Sequence, residues 1–501
     1  MIFRLLRILA LLLLLVGGFY IWVSEPKAVG NHYGYWSLVP AGVTILMCFA
    51  TRNVLLALLL GIASGGLIIH SLNLIDAFLI PSIASENFAK LLVIYFWALG
   101  GLLGIWSKNG GARQFANTAS KLFIRSRRSA KMFAWVMGCI FHQGGTTSTV
   151  LTGTTVRSAV QKHKVASEEL AYVVDSTASP IATIIPFNGW PLYIAGLLIV
   201  VPSLASVIPT EQAAVSLFYS AIPFNFYAIF AVLMTFFFSM DRLPLFGTPM
   251  RSAMRRAQET GQWLAPNAVS LAAPELSQEN VPSYYKPSSV DFLLPLLVLL
   301  GFCIAPWILT GNPWVFEGFA MALVTAMVLT LVRGLSVKDT FDGLIAGIKG
   351  VTLGAVILGL AVTLGSVSAQ VGAAAYVVEY ATPWLQAIPY ILPSLLLLVC
   401  MIISFSIGTS FGTYAIIFPI ALPLALALSP DVNFLVLTFA AILGGAVFGD
   451  QCSPISDTTI LSAMATGSDL MSHVNTQFPL ALIAAFLAGI LYFLLGFLIL
   501  V

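Results

Sequence analysis

The sequence predicts an all-α polytopic membrane protein, and three observations predict it. Apolar residues make up 59% of the 501-residue chain and charged residues 9%, where a soluble domain carries about 25% charged. Many windows hold roughly 20 apolar residues, enough to cross a hydrocarbon core of about 30 Å as a helix. Strand-type alternation is absent, and inside lipid every backbone polar group has to be satisfied within its own segment, which leaves helices. No soluble interior is large enough to hide this much apolar surface. The net charge of +3 is too small to point to a partner, and no nucleic acid is expected. There is no nucleotide-binding P-loop and no metal-type His/Cys spacing, so no cofactor is expected and an enzyme is the least favoured class. The five cysteines sit singly in apolar segments and read as small buried hydrophobes. Cys452 differs in having polar neighbours.

The elements follow in order. "MIFRLLRILALLLLLVGGFYIWV" has a basic start and an apolar core but no small-x-small cleavage pattern. It reads as a retained extra span within residues 1–35. The first half, 36–240, holds expected spans at 36–51, 53–70 and 91–107, a hairpin at 131–157, a broken span at 168–201 and a span at 216–240. Residues 241–289 are rich in Pro, Ser, Gln, Asn and charge, and read as a cytoplasmic linker with little fixed structure. The second half, 290–501, holds spans at 290–310, 316–333 and 343–370, a hairpin at 390–429, a broken span at 432–462 and a span at 475–501. The count is eleven crossings plus two hairpins.

Basic residues orient these elements. Arg4 and Arg7 place the N-terminus in the cytoplasm. The seven basic residues from Lys108 to Lys131, then Arg157, Lys162 and Lys164, then the linker, then Arg333, Lys338 and Lys349, mark cytoplasmic loops. The connections near 202–215, 311–317 and 371–389 have no Lys or Arg and are expected outside. No Lys or Arg follows Lys349.

The stretch "KMFAWVMGCIFHQGGTTSTVLTGTTVR" (131–157) is apolar enough to enter the membrane, yet both its ends are basic. It is too short for two full spans of ~20 residues each. A re-entrant hairpin turning at "HQGGTTS" fits, and backbone of that kind is tolerated where protein or a watery cavity surrounds it. "DSTASPIATIIPFNGWP" (175–191) follows, interrupted by three prolines. The second half repeats the pattern: "SFSIGTSFGTYAIIFP" (404–419) matches the hairpin turn, and "GDQCSPISDTTI" matches "DSTASPIATII". Interrupted segments at corresponding places in two halves point to a transporter built on inverted-topology repeats, with its site at their interface.

The polar residues at these breaks are the candidate site. Carbonyls freed at a hairpin tip or helix break, with Ser and Thr hydroxyls, form an oxygen cage suited to Na+. A carboxylate offsets the ion's lost hydration, and ionisable residues within spans are by default functional. Only Asp175, Asp450 and Asp457 lie inside interrupted membrane segments. They join Ser453, Ser456, Thr458, Ser179, Thr146, Thr147, Ser148, Thr409 and Ser410 as cation- or substrate-binding candidates, with Na+ expected at Asp457, Asp175, Thr147 and Ser410. His142, Asn188 and Trp190 are cavity candidates. Plainer roles compete with these: Ser and Thr in membrane helices often bond their own i−4 carbonyl, Asp450 and Asp175 can cap the helix that follows, and His142 can be a structural histidine. A carboxylate able to hold either Na+ or H+ would give exchange by competition.

"GGTTSTVLTGTTVRSAVQKHKV", "DSTASPIATIIPFNGWPLYIAGLL" and especially "GDQCSPISDTTILSA" resemble the NhaC family of Na+/H+ antiporters, within the ion transporter superfamily. The resemblance is strongest over residues 142–197 and 444–479. It implies a secondary transporter of a bacterial inner membrane. It also implies scaffold and transport domains moving as an elevator, often in a homodimer, with the hairpin tips and Ser-Pro-Ile breaks in the transport domain. The alternative the resemblance leaves open is Na+- or H+-coupled transport of a small organic anion or amino acid.

Overall fold

The computed structural model describes residues 17–18, 20, 23–24, 26–51, 53–71, 73–84, 89, 92–142, 145–185, 187–244, 249–266, 268, 270, 281–310 and 314–500. Most of the expected first span lies outside them. Helices make up almost everything described, and the β contact present is an isolated bridge between Val29 and His32.

In the first half, α1 (Val39–Thr51) and α2 (Val54–Ile68) pack side by side. Asn53 caps α2 by accepting from the Leu56 N–H at 2.9 Å, which satisfies a donor that the first helical turn leaves free. A π-helical stretch, Val93–Gly100, runs into α3 (Gly101–Asn109), and α4 (Gly111–Phe123) follows. The first hairpin is α5 (Arg127–Ile140) and α6 (Gly145–Lys162), two helices packed on each other. Next come α7 (Ser167–Ser176), a single turn of helix at Ser179–Ala182, and α8 (Trp190–Leu198). Proline positions decide this breakage, because a proline removes a ladder donor and crowds the carbonyl four residues back. The half ends with α9 (Glu211–Ala221) and α10 (Phe226–Ser239).

After the linker helix α11 (Pro249–Thr260), the second half runs through α12 (Val290–Thr310), α13 (Val315–Val332) and α14 (Val337–Gln370), then α15 (Ala373–Leu385). At the position of the second hairpin stand α16 (Leu392–Ile407) and α17 (Ser410–Leu428), joined by a tight turn; unlike the short re-entrant arms expected, both are among the segments long and apolar enough to cross a bilayer. α18 (Val432–Cys452) and α19 (Asp457–Thr466) form the second broken span, and α20 (Leu470–Leu500) closes the chain.

Among the described residues, seven helices are long and apolar enough to cross a bilayer, or eight if a bent pair counts as one span. That is fewer than the eleven crossings expected, because proline and π-helical breaks divide several first-half segments below the length of a continuous span. Large apolar side chains such as Leu297, Val324, Phe486 and Leu498 point outward, as a lipid-facing surface requires. By contrast, α18 is buried along its whole length from Phe434 to Cys452 and is the central strut. The returning arm of each hairpin packs against a broken-span helix of the opposite half: α6 on α19, and α17 on α8. The two breaks and the two tips are thereby drawn to one place.

Three segments depart from the sequence expectation. The span expected at 216–240 is bent by 50° between Glu211–Phe224 and Phe226–Ser239. Pro223 and the non-helical Asn225 interrupt its ladder, and Tyr492 repairs the break, its hydroxyl donating to the Phe224 carbonyl at 2.7 Å and accepting from the Phe226 N–H at 3.3 Å. The linker is more ordered than its composition suggests. Within it Arg256 on α11 bonds Glu168 at 2.8 Å, and the Trp263 carbonyl accepts from the Ser167 N–H at 3.1 Å; residues 271–280 lie outside the described residues. The connection expected at 371–389 folds as α15, started by Gly372 in the left-handed region at φ +74°.

The base of the first hairpin is fixed by charge. Lys131, fully buried, donates to Asp241 at 2.5 Å and Glu169 at 3.3 Å, and Arg127 bonds the same Glu169 at 2.5 Å. A buried ammonium is tolerated only with such partners.

Candidate functional site

The second break explains its own polar residues. The carbonyl of Asp450 would ordinarily accept the N–H of residue 454, but that residue is Pro454, which has none. Three hydroxyls replace it: Ser456 at 2.8 Å, Thr458 at 2.7 Å and Thr459 at 3.0 Å all donate to the Asp450 carbonyl oxygen. The turn after the proline therefore winds its hydroxyls around the broken end of α18.

The Asp450 side chain points to the tip of the second hairpin. Its carboxylate accepts from the Ser410 N–H at 2.8 Å and from the Ser410 hydroxyl at 2.5 Å. Asp450 thus caps a helix, as a plainer role would have it, but the helix is α17, not the one that follows it in sequence. A carboxylate at a helix N-terminus meets both free N–H groups and the positive end of the dipole. Gly408 makes this approach possible. It holds φ +74°, and a Cβ there would stand 2.8 Å from the Ile455 carbonyl.

The first half reaches the same point. Ser179, at the start of the short helix after the first break, lies beside the Asp450 carboxylate. Gly145, at the start of α6, lies so close that a Cβ there would stand 2.8 Å from the Thr458 methyl and 2.9 Å from the Ser179 hydroxyl. Asp450, Ser410, Ser179, Ser456 and Thr458 therefore form one cluster, all buried. Asp457 opens the first turn of α19 next to it, bonded by the Thr458 N–H at 2.9 Å. Unlike its neighbours it is exposed.

Other candidates have different surroundings. Ser453 donates to the Phe405 carbonyl at 2.6 Å and ties the break to α16. Asn188 is a fully satisfied tie: its amide donates to the carbonyls of Ala182 and Ile185, both at 2.7 Å, and its oxygen accepts from the Trp190 N–H at 2.8 Å. Trp190 stacks on Phe411, at the start of α17, with centroids 4.5 Å apart. His142 is buried, its Nδ1 3.1 Å from the Cys139 carbonyl. Ser148 donates to the Gly138 carbonyl at 3.4 Å within the first hairpin. Thr409 is the N-cap of α17. The side chains of Thr146 and Thr147 lie outside the described residues.

Asp175 stands apart from the Asp450 cluster. Its Oδ2 accepts from the Gln477 amide at 2.9 Å and lies 3.2 Å from His473 Nε2. The two groups are bridged by Gln451, whose amide donates to the Ser176 hydroxyl at 2.8 Å and whose oxygen accepts from the Tyr227 hydroxyl at 2.5 Å. His473, Gln477, Gln451 and Tyr227 were not singled out in the sequence. For His473 and Gln477 a signal was present: both are polar, four apart, on one face of the opening of α20, in a polar run that precedes the apolar stretch from Phe478. Placing that span at 475–501 hid it.

Similarity to known proteins narrows the reading. A protein of Haemophilus influenzae described as uncharacterized is 29% identical over 92% of this chain and 91% of its own length. The malate-2H(+)/Na(+)-lactate antiporter of Bacillus subtilis is 40% identical over a short stretch, 13% of this chain and 14% of that protein. In fold, the chain is similar to the YdaH transporter of Alcanivorax borkumensis, with a TM-score of 0.55 at 14% identity, covering 91% of this chain and 98% of that one. A model of the Na+/H+ antiporter family matches residues 193–497. With buried carboxylates at the breaks of its membrane helices and more than half of its length matched, this chain is a secondary active, ion-coupled transporter and belongs to the Na+/H+ antiporter family.

Proposed function

We propose that the protein exchanges Na+ for H+ across a bacterial inner membrane. The proposed Na+ site is the cluster around Asp450, with Ser410 and Thr409 from one tip, Ser179 from the first break, Thr146 and Thr147 from the other tip, and Asp457 at the mouth. One observation carries the reading: a single buried carboxylate is bonded by the second hairpin tip and has the first-half break beside it. A hard monovalent cation needs several oxygens and one compensating charge, and these residues supply both types. The two halves act as inverted repeats whose hairpins enter from opposite sides, with the N-terminus cytoplasmic, and the tips and breaks move together against the remaining helices, in a homodimer. The swapped packing of α6 on α19 and α17 on α8 supports a moving unit made from both halves.

A second reading is exchange that also carries a small organic anion. Its support is the local similarity to an antiporter named for malate and lactate, together with the aromatic group Trp190, Tyr193, Phe411 and Tyr414 beside the α17 N-terminus. Proteoliposome flux separates the two. Na+ alone should collapse an imposed pH gradient if the protein is a simple exchanger. If collapse requires a carboxylic or amino acid from a test panel, the simple exchanger is rejected.

A further inference from the structure

We propose that Asp175 and His473 form a proton-binding site separate from the Asp450 oxygen cluster, with Gln477 as its positioning residue. This rests on the exchanger reading and assigns the proton's place within it.

Both side chains are fully buried, one on α7 and one on α20. The Asp175 Oδ2 lies 3.2 Å from His473 Nε2 and accepts from Gln477 Nε2 at 2.9 Å. His473 and Gln477 are one turn apart, so both face α7 from one side of α20. Asp175 Oδ1, His473 Nδ1 and Gln477 Oε1 have no hydrogen-bond partner among the described residues. Buried polar atoms are nearly always paired, and exceptions call for an explanation. A purely structural bond between α7 and α20 needs no ionisable pair; Gln477 already supplies one. With Nε2–H donating to Asp175, the imidazole presents a free lone pair at Nδ1. A proton needs one lone pair, where Na+ needs a shell of oxygens. Protonated His473 has its counter-charge 3.2 Å away in Asp175, which is what a buried imidazolium requires.

The surrounding groups fit this role. On α19 the hydroxyls of Thr459 and Ser462 face Asp175, and Asp457 stands at that helix's start. Tyr227 on α10 and Cys452 on α18 are close enough to feel the Asp175 charge, and Tyr172 lies on α7 itself. The basic residues of neighbouring elements are engaged elsewhere: Lys131 on α5 with Glu169 and Asp241, and Arg256 on α11 with Glu168. On α6, Arg157 packs against Gly467, beyond the end of α19. The short helix Ser179–Ala182 carries no charged residue. Thr459 connects the two sites, since its hydroxyl donates to the Asp450 carbonyl at 3.0 Å and also faces Asp175. Gln451, next to Asp450, bonds Ser176, next to Asp175, at 2.8 Å. A change in charge at one site is therefore passed to the other, and such coupling is reciprocal.

The test uses purified full-length protein in liposomes, with wild type, His473→Gln and Asp175→Asn. Two fluxes are measured: exchange of labelled for unlabelled Na+, and Na+-driven proton movement reported by an internal pH dye. In His473→Gln the expected result is a loss of proton flux of at least tenfold with Na+/Na+ exchange kept within a few-fold, and a flattened pH profile of that exchange; in Asp175→Asn the expected result is the same loss of proton flux. Wild-type proton flux with an unchanged pH profile in His473→Gln overturns the proposal. Loss of both fluxes in parallel in a monodisperse variant also overturns it, by placing the pair in the Na+ site. If His473→Gln is not monodisperse, His473→Asn decides by the same criteria. A wild-type protein that moves no Na+ at all refutes the exchanger reading itself, a different failure from any of these.

Discussion

Replacing Asp450 by asparagine separates its charge from its shape. The carboxylate accepts two bonds from Ser410 and caps α17. In Asp450→Asn the amide oxygen can still accept one of them, and the amide nitrogen can donate to the hydroxyl. What is lost is the charge assistance, about 1–2 kcal/mol of stability, since hydrogen bonds to charged groups contribute about 1.5–3 kcal/mol and neutral ones about 0.5–1.5. The effect on Na+ is larger. A cation within about 4 Å of a carboxylate at an effective dielectric near 20 gains about 4 kcal/mol, or roughly a thousandfold in affinity. The assay is Na+-dependent thermal stabilisation of purified protein, which reads the dissociation constant through mass action. Asp457→Asn is the control. Asp457 is exposed, so water screens it, and its loss should weaken Na+ about tenfold or less, in line with the smaller worth of solvated charges. A folded Asp450→Asn protein that binds Na+ within tenfold of wild type refutes the assignment.

Three further outcomes are expected. Lys131→Met should lower stability by about 3 kcal/mol, the low end for breaking a buried pair, because Glu169 keeps Arg127 at 2.5 Å; a melting midpoint unchanged from wild type would contradict the buried network. Gly408→Ala should cost about 1–2 kcal/mol for the left-handed backbone alone and more from the contact with Ile455, and Na+ affinity should fall with it as the tip is pushed off Asp450; calorimetry and Na+ titration check both. In a background without native cysteines, Thr147→Cys and Thr409→Cys should react with hydrophilic reagents from opposite sides of the membrane, and labelling of both from one side in every condition would exclude inverted hairpins.

What was legible in the sequence is what the chain decides locally. Pro454 announces an orphaned carbonyl at Asp450, and the hydroxyls needed to satisfy it follow within five residues. Helix ends at both Ser-Pro breaks and at the turns near 141–142 and 408–409 fall close to where glycine and proline place them. Tertiary pairings were not legible. Ser410 and Asp450 are 40 residues apart and Asp175 and His473 298 apart, and no periodicity reports such distances. The bend at Asn225 had a local signal in Pro223, but an apolar run hid it. α11 was missed because an amphipathic helix in a polar linker takes its stability from the surface it covers, here Glu168 through Arg256.

The cap on α17 gives the site a mechanical consequence. With its two bonds from Ser410, the Asp450 carboxylate fastens the second hairpin tip to the central strut α18. Those are the oxygens a cation would seek. In the proposed Na+ site a bound cation would use the lone pairs that these two bonds leave free, and its charge would weaken the pull of the carboxylate on the α17 N-terminus, so that cation binding and tip attachment would oppose each other. Competition of that kind is what coupling requires, because a ligand shifts a conformational equilibrium only by its difference in affinity for the two states. In the proposed reading the Asp450 carboxylate would thus serve two partners, the tip through Ser410 and the ion.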